Sequence, residues 1–84
     1  MNNKFPVLNT NKYSILTEYS KLTEEVEEFL GASSKENLVE EFFDVIQVLV
    51  NIIDKQNLIN ELPKGLDAHI EKLKARGWDV KQWL

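Results

Sequence analysis

In the first third of the chain, apolar side chains recur at steps of three and four: Ile15, Tyr19, Leu22, Val26, Phe29 and Leu30. This spacing predicts one face of a helix that begins near Asn11. Gly31 suits the C′ position that ends it, because a left-handed residue there costs glycine little. The following "SSKE" predicts a capping box in which Ser33 caps the next helix and Glu36 reaches back to its backbone N–H. From Leu38 to Ile53 the apolar positions cover roughly half of the second helix's circumference at about 100° per residue. Packing on a single neighbour needs less. The surplus predicts burial on two sides, against the first helix and against a second subunit.

After a break near "KQNLINELPKG", Asn60 is placed to cap a third helix with Pro63 in its first turn. Leu66, Ile70 and Leu73 mark its apolar face and Gly77 its end. Residues 1–10, which include Pro6, read as an irregular leader that packs side chains such as Phe5 and Leu8. The ending "WDVKQWL" (78–84) reads as a docked aromatic tail. No repeat, low-complexity stretch or linker interrupts the pattern. The expectation is a single all-α domain over residues 1–84, an antiparallel hairpin plus a shorter third helix. Two copies would pair into a four-helix bundle, as a dimer or higher oligomer.

Composition narrows the possibilities. A chain of 84 residues has trouble burying enough apolar surface alone. Its apolar fraction of 43% and charged fraction of 29% are nevertheless those of a folded protein rather than a disordered one. There is no cysteine, which removes disulfides, thiolate ligands and cysteine redox chemistry and is compatible with a cytoplasmic location. The longest apolar run, "FFDVIQVLVNII", is broken by Asp44, Gln47 and Asn51 and is too short to span a membrane. "MNNKFPVLN" lacks the apolar segment of a secretory signal. A net charge of −4 argues against nucleic acid as the main partner, since that binding is driven by clustered Lys and Arg.

The acids are unevenly placed: nine of the fourteen lie between Glu18 and Asp44. On the first helix Glu25 and Glu28 are about 60° apart, beside the apolar stripe, while Glu24 and Glu27 point further toward solvent. On the second, Glu41 and Asp44 are again about 60° apart at the edge of the apolar arc. A short connection makes the helices antiparallel neighbours, so the two pairs face each other. Four carboxylates converging beside a core repel one another, and their desolvation costs several kcal/mol each unless compensated. A divalent cation compensates most economically, and an all-oxygen site suits Mg²⁺, with Mn²⁺ as a substitute. Taken singly, each acid fits a solvated helix face or an i,i+4 partner of a lysine better than it fits a ligand; it is the matched pairing on two helices that favours the metal.

The pattern "EEVEE" (Glu24 to Glu28), a twelve-residue gap, then "EFFD" (Glu41 to Asp44) resembles the E-E-x-x-E, gap, E-x-x-D signature of the MazG-type all-α nucleoside triphosphate pyrophosphohydrolases. "HIEKLKARGW" is similar to the K-x-x-R-G element of the phosphoribosyl-ATP pyrophosphohydrolase-like branch, with Trp78 where an RGG-type relative has a second Gly. The resemblance covers roughly Tyr13 to Trp78. It implies an Mg²⁺-dependent hydrolase that cleaves a nucleotide between its α and β phosphates. Glu25, Glu28, Glu41 and Asp44 would match the metal ligands, and Glu24 or Glu28 would orient or deprotonate the attacking water.

Around this quartet stand candidate substrate contacts. Lys21 is placed for a phosphate or for a bridge to Glu25. Asn51 would bind a base or sugar, or serve a helix interface. Lys72, Lys74 and Arg76 would reach a phosphate from this or a neighbouring subunit, or simply complement the C-terminal dipole of the third helix. His69, the lone histidine, suits a surface role. A non-catalytic helical interaction module explains the wide apolar arc as well as a hydrolase does but the matched acid spacing less well, and a nucleotide-binding enzyme that has lost turnover lies between the two.

Overall fold

The structure, a computed structural model, describes residues 4–84 and contains no strand among them. Three α-helices, α1 (Ile15–Leu30), α2 (Lys35–Lys55) and α3 (Leu62–Ala75), follow one another, with a 3₁₀ turn over Ile59–Glu61 before the third. The all-α expectation holds. The starts and stops are set by local hydrogen bonds, and several differ from the pattern reading.

Helix α1 begins at Ile15 rather than near Asn11, because two turns occupy the residues before it. The Asn11 N–H donates to Asn9 Oδ1 at 3.1 Å and the Tyr13 N–H to the Thr10 carbonyl at 2.9 Å. Ser14 then caps, accepting from the Thr17 N–H at 3.1 Å. Gly31 ends the helix as the C-cap itself with φ −98°, so left-handed freedom is not why glycine stands there. Helix α2 is capped by Ser34, not Ser33: Ser34 Oγ accepts from the Asn37 N–H at 3.0 Å. Asn37 takes the reciprocal part expected of Glu36, its Oδ1 accepting from the Ser33 N–H at 3.2 Å.

Helices α2 and α3 close alike. After α2, Asn57 adopts φ 59°, with its N–H on the Asp54 carbonyl at 2.9 Å and the Leu58 N–H on Ile53 at 3.1 Å. After α3, Gly77 adopts φ 82°, its N–H on Lys74 at 3.0 Å and the Trp78 N–H on Leu73 at 3.1 Å. Both are Schellman closures, which satisfy the last helical carbonyls and require a left-handed residue. Asn60 does not cap α3. It lies inside the 3₁₀ turn, and α3 starts without a side-chain cap, with Pro63 in the first turn, where a missing N–H costs little.

Helices α1 and α2 form the antiparallel hairpin. Glu28 meets Glu41 near the turn, and Glu18 meets Asn51 two to three turns away. Between the helices Val48 and Ile52 are the buried apolar side chains, joined by buried Thr10, Glu18 and Asn51. The leader, irregular as far as Tyr13, runs along this pair: Phe5 stacks on Phe43 with ring centroids 6.2 Å apart, and Phe5 and Leu8 are each about half covered. Residues 1–3 of the expected leader lie outside the described part.

The backbone of α3 approaches neither α1 nor α2; it meets the fold through the 3₁₀ turn. Ile53, near the end of α2, shares a cleft with Leu62, Leu66 and His69. The tail docks on α3 rather than on the hairpin. It folds back beside Ile70 and Leu73 of α3, with Trp78 and Trp83 68% and 65% exposed. A compact chain of this length has a radius of gyration of about 12 Å, whereas this one has 15.0 Å. An arm stands away from a hairpin, and both carry bare apolar faces. Among the described residues no helix is long and apolar enough to cross a membrane.

Candidate functional site

The hairpin turn carries the densest chemistry in the molecule. Carboxylate oxygens of Glu25 and Glu28 on α1 and Glu41 on α2 lie within 4.8 Å of one another. One oxygen each of Glu25 and Glu41, the Oε2 atoms, is buried with no hydrogen-bond partner among the described residues. Both groups are displaced upward from the ordinary carboxylate value. For Glu25 burial is the main cause, followed by the Glu28 charge, a hydrogen bond with Glu28, and the charges of Asp44 and Glu41. For Glu41 burial again leads, then the Glu28 charge; the hydrogen bond from Asn37 works against them, and Asp44 adds to the rise.

The cap of α2 is wired into this cluster. The Asn37 amide whose oxygen serves the Ser33 N–H donates from Nδ2 to Glu41 Oε1 at 3.3 Å. Helix capping thus fixes the orientation of one carboxylate. Asn37 escaped the sequence reading, although a serine pair followed by Asn and, one turn on, Glu was visible in "SSKENLVEE".

Of the proposed quartet, Glu25, Glu28 and Glu41 come together. Asp44 is outside the 4.8 Å group and exposed, yet close enough for its charge to act on Glu25 and Glu41. Glu24 is exposed and apart from the trio. Lys21 turns away from the acids: its Nζ sits 3.8 Å from the centre of the Tyr13 ring, a cation–π contact rather than a bridge to Glu25. Lys72, Lys74 and Arg76 sit at the end of α3, away from the hairpin; the ion pair Lys74 makes is with Glu71 at 3.7 Å, and both side chains are exposed.

Asn51 is buried and belongs to a second polar group farther along the hairpin. Its Nδ2 donates to Glu18 Oε2 at 3.3 Å and its Oδ1 accepts from Gln47 Nε2 at 3.3 Å. Gln47 Nε2 also donates to the Pro6 carbonyl at 3.1 Å, and Lys55 Nζ to the Thr10 carbonyl at 2.8 Å, which ties the leader over this end. Glu18 is fully buried, and its Oε1 has no partner among the described residues. The sequence held a signal for it. Glu18 precedes Glu25 by seven residues as Asn51 follows Asp44 by seven, two turns along one face in each helix.

Comparison with family models, characterised proteins and solved structures finds no match.

Proposed function

We propose that this chain is an Mg²⁺-dependent nucleotide pyrophosphohydrolase that cleaves between the α and β phosphates to give a nucleoside monophosphate and pyrophosphate. One observation carries the reading: three carboxylates from two helices crowd within 4.8 Å, and two of them keep a buried oxygen unpartnered. Such crowding is unfavourable for the bare carboxylates, and burial and mutual repulsion already hold Glu25 and Glu41 toward their protonated forms. The donor set fits a hard divalent cation: all oxygen, from short-range carboxylates fixed on rigid helices. The resemblance of "EEVEE" and "EFFD" to the MazG-type signature points the same way.

In this reading Glu25, Glu28 and Glu41 hold the ion, with Asp44 joining from the next turn of α2. A bound Mg²⁺ supplies charge neutralisation for phosphate oxygens and acidifies a coordinated water. The protein's own part is positioning. Asn37 fixes Glu41, the α1–α2 packing fixes the spacing of the two acidic edges, and Glu28, the exposed member of the trio, would accept the proton of the attacking water. Water adds to phosphorus, and the bridging oxygen departs with the bond's electron pair as pyrophosphate or monophosphate. Because α3 stands off its own hairpin, Lys72, Lys74 and Arg76 would contact the phosphates from α3 of a neighbouring copy. The bare apolar faces of α2 and α3 would be covered by a second copy, in a dimer or larger bundle.

The other reading is a non-catalytic helical interaction module, favoured by those same bare faces, among them Val39 at 56% and Phe43 at 50% exposure. The deciding experiment measures pyrophosphate release from a panel of nucleotides, phosphoribosyl-ATP included, with Mg²⁺ or Mn²⁺ and with EDTA. Glu41→Gln and Asp44→Asn are run alongside. Metal-dependent release that falls at least about a hundredfold in the variants supports the hydrolase. Silence across the panel, with no effect of metal on the fold, leaves the interaction module.

A further inference from the structure

We infer that Glu18 and Asn51 form the base-reading end of the same seam, and that they select a nucleobase offering two adjacent N–H donors, as guanine does. The inference rests on the acidic cluster holding the phosphates. Its own starting point is separate: a buried carboxylate is costly unless its lone pairs are used. Glu18 is fully buried between the helices, Oε2 takes one amide hydrogen from Asn51 at 3.3 Å, and Oε1 receives none from the described residues. Its acceptor capacity is open.

Position and chemistry then specify the ligand. Glu18 lies seven residues from Glu25, and Asn51 seven from Asp44. At 1.5 Å per residue the pair sits about 10 Å along the seam from the acidic cluster. That is the reach from the α-phosphorus of an extended nucleotide to the far edge of its base. A carboxylate with one free and one half-used oxygen matches the ring N–H and exocyclic amine of guanine. Cytosine and adenine offer it an amine alone. Uracil and thymine offer one N–H between two carbonyl oxygens, which the carboxylate repels. Asn51 cannot swing away freely, because Gln47 holds its Oδ1 at 3.3 Å. The roof over the pair is the leader, held by Gln47 on the Pro6 carbonyl, Lys55 on the Thr10 carbonyl, Tyr13 on Lys21 and the Phe5 ring stacked on Phe43. These few contacts must part for a base to enter.

The test compares kcat/KM for GTP, CTP, ATP and UTP with Mg²⁺, in the wild type and in Glu18→Gln, which keeps the volume and can keep the Asn51 bond. GTP should exceed UTP by roughly ten- to a hundredfold, the discrimination expected of hydrogen bonds to a charged group. Glu18→Gln should erase or invert that order, since an amide offers one acceptor and one donor. A merely structural Glu18 would lower all four nucleotides alike, and that result, or a flat base profile in the wild type, overturns the inference while leaving the hydrolase intact. A second arm needs neither metal nor phosphate nor a folded variant: thermal unfolding of the wild-type protein in EDTA with millimolar guanosine or uridine. Guanosine should raise Tm and uridine should not; equal responses overturn the inference. Guanosine protection without any nucleotide hydrolysis would keep the base site and remove the hydrolase.

Discussion

Replacing Glu41 by glutamine should push stability in opposite directions depending on whether a divalent ion is present. Without metal, Glu41 is one of three carboxylates within 4.8 Å, and burial, Glu28 and Asp44 all disfavour its charge. Glutamine removes that charge, conserves the volume and leaves an oxygen for Asn37 Nδ2, which donates to Glu41 Oε1 at 3.3 Å. The metal-free variant should therefore melt above the metal-free wild type at pH 8. With metal the order reverses, because glutamine is a poor ligand for Mg²⁺. An ion present at a hundred times its Kd stabilises the native state by about 2.7 kcal/mol. In a domain of this size that corresponds to a rise of roughly 10–20 °C in Tm.

The pH dependence supplies an internal check. Glu25 and Glu41 are raised in the folded protein from an ordinary value of 4.5. The folded state thus holds protons that the unfolded chain has released, and metal-free stability falls as pH climbs from 4.5 through the raised values. Metal displaces those protons, so its stabilisation should grow over the same interval. Melting curves by circular dichroism, in EDTA and in 10-fold steps of Mg²⁺ or Mn²⁺ between pH 5 and 8, read both effects. A wild-type Tm indifferent to both metals at pH 8, with Glu41→Gln no more stable in EDTA, would refute the metal-centre reasoning altogether.

Three further outcomes follow from the fold. Ser34→Ala should destabilise the hairpin by about 1 kcal/mol in denaturant unfolding, since Ser34 Oγ is the cap of α2; Ser33→Ala should cost much less. Gly77→Ala places a Cβ at φ 82° with open space around it, so only backbone strain of about 1 kcal/mol is at stake. Because α3 stands off the hairpin, amide exchange should report that loss in α3 and leave α1 and α2 unchanged. Light scattering at micromolar concentration should give a dimer or larger species, reduced to monomer by Val39→Glu; a wild-type monomer would remove the assembly proposed for the bare faces.

The helices were legible because each is long and strongly periodic, and the acid spacing was legible because helical geometry turns sequence separation into angle. Boundaries were not. Ser33 and Ser34 are adjacent and each has a residue three positions on able to answer it, Glu36 or Asn37; the choice is made by hydrogen-bond geometry, and Asn37 wins by bonding Ser33 and Glu41 together. The start near Asn11 failed because the Asn9 and Thr10 turns compete with a helix. The burial of Glu18 depends on bonds to residues 33 positions away and on a leader fastened by residues more than 40 away. The seven-residue offsets from Glu25 and Asp44 mark Glu18 and Asn51 as one face, but no local pattern encodes the leader that closes over them. Local periodicity is equally silent on whether α3 lies against the hairpin or apart from it.

The two unusual features of this chain, a glutamate sealed inside and tryptophans left outside, have a common physical origin. A domain this small buries only about 60% of its surface, so which groups enter the one interhelical seam is a choice between apolar and polar content. Here Val48 and Ile52 share the seam with Glu18 and Asn51, and the carboxylates of Glu25, Glu28 and Glu41 line its open end. Apolar residues outside that seam, such as Phe43, Trp78 and Trp83, are exposed on α2 and beside α3. In the proposed reading the seam takes a charged ligand and the bare faces take another protein surface. If a second copy covers those faces, assembly would stiffen the hairpin that spaces the acids, and metal binding would favour assembly in return. The Tm gained from Mg²⁺ should then rise with protein concentration. A gain independent of concentration would separate the two events and make the metal centre a property of the single hairpin.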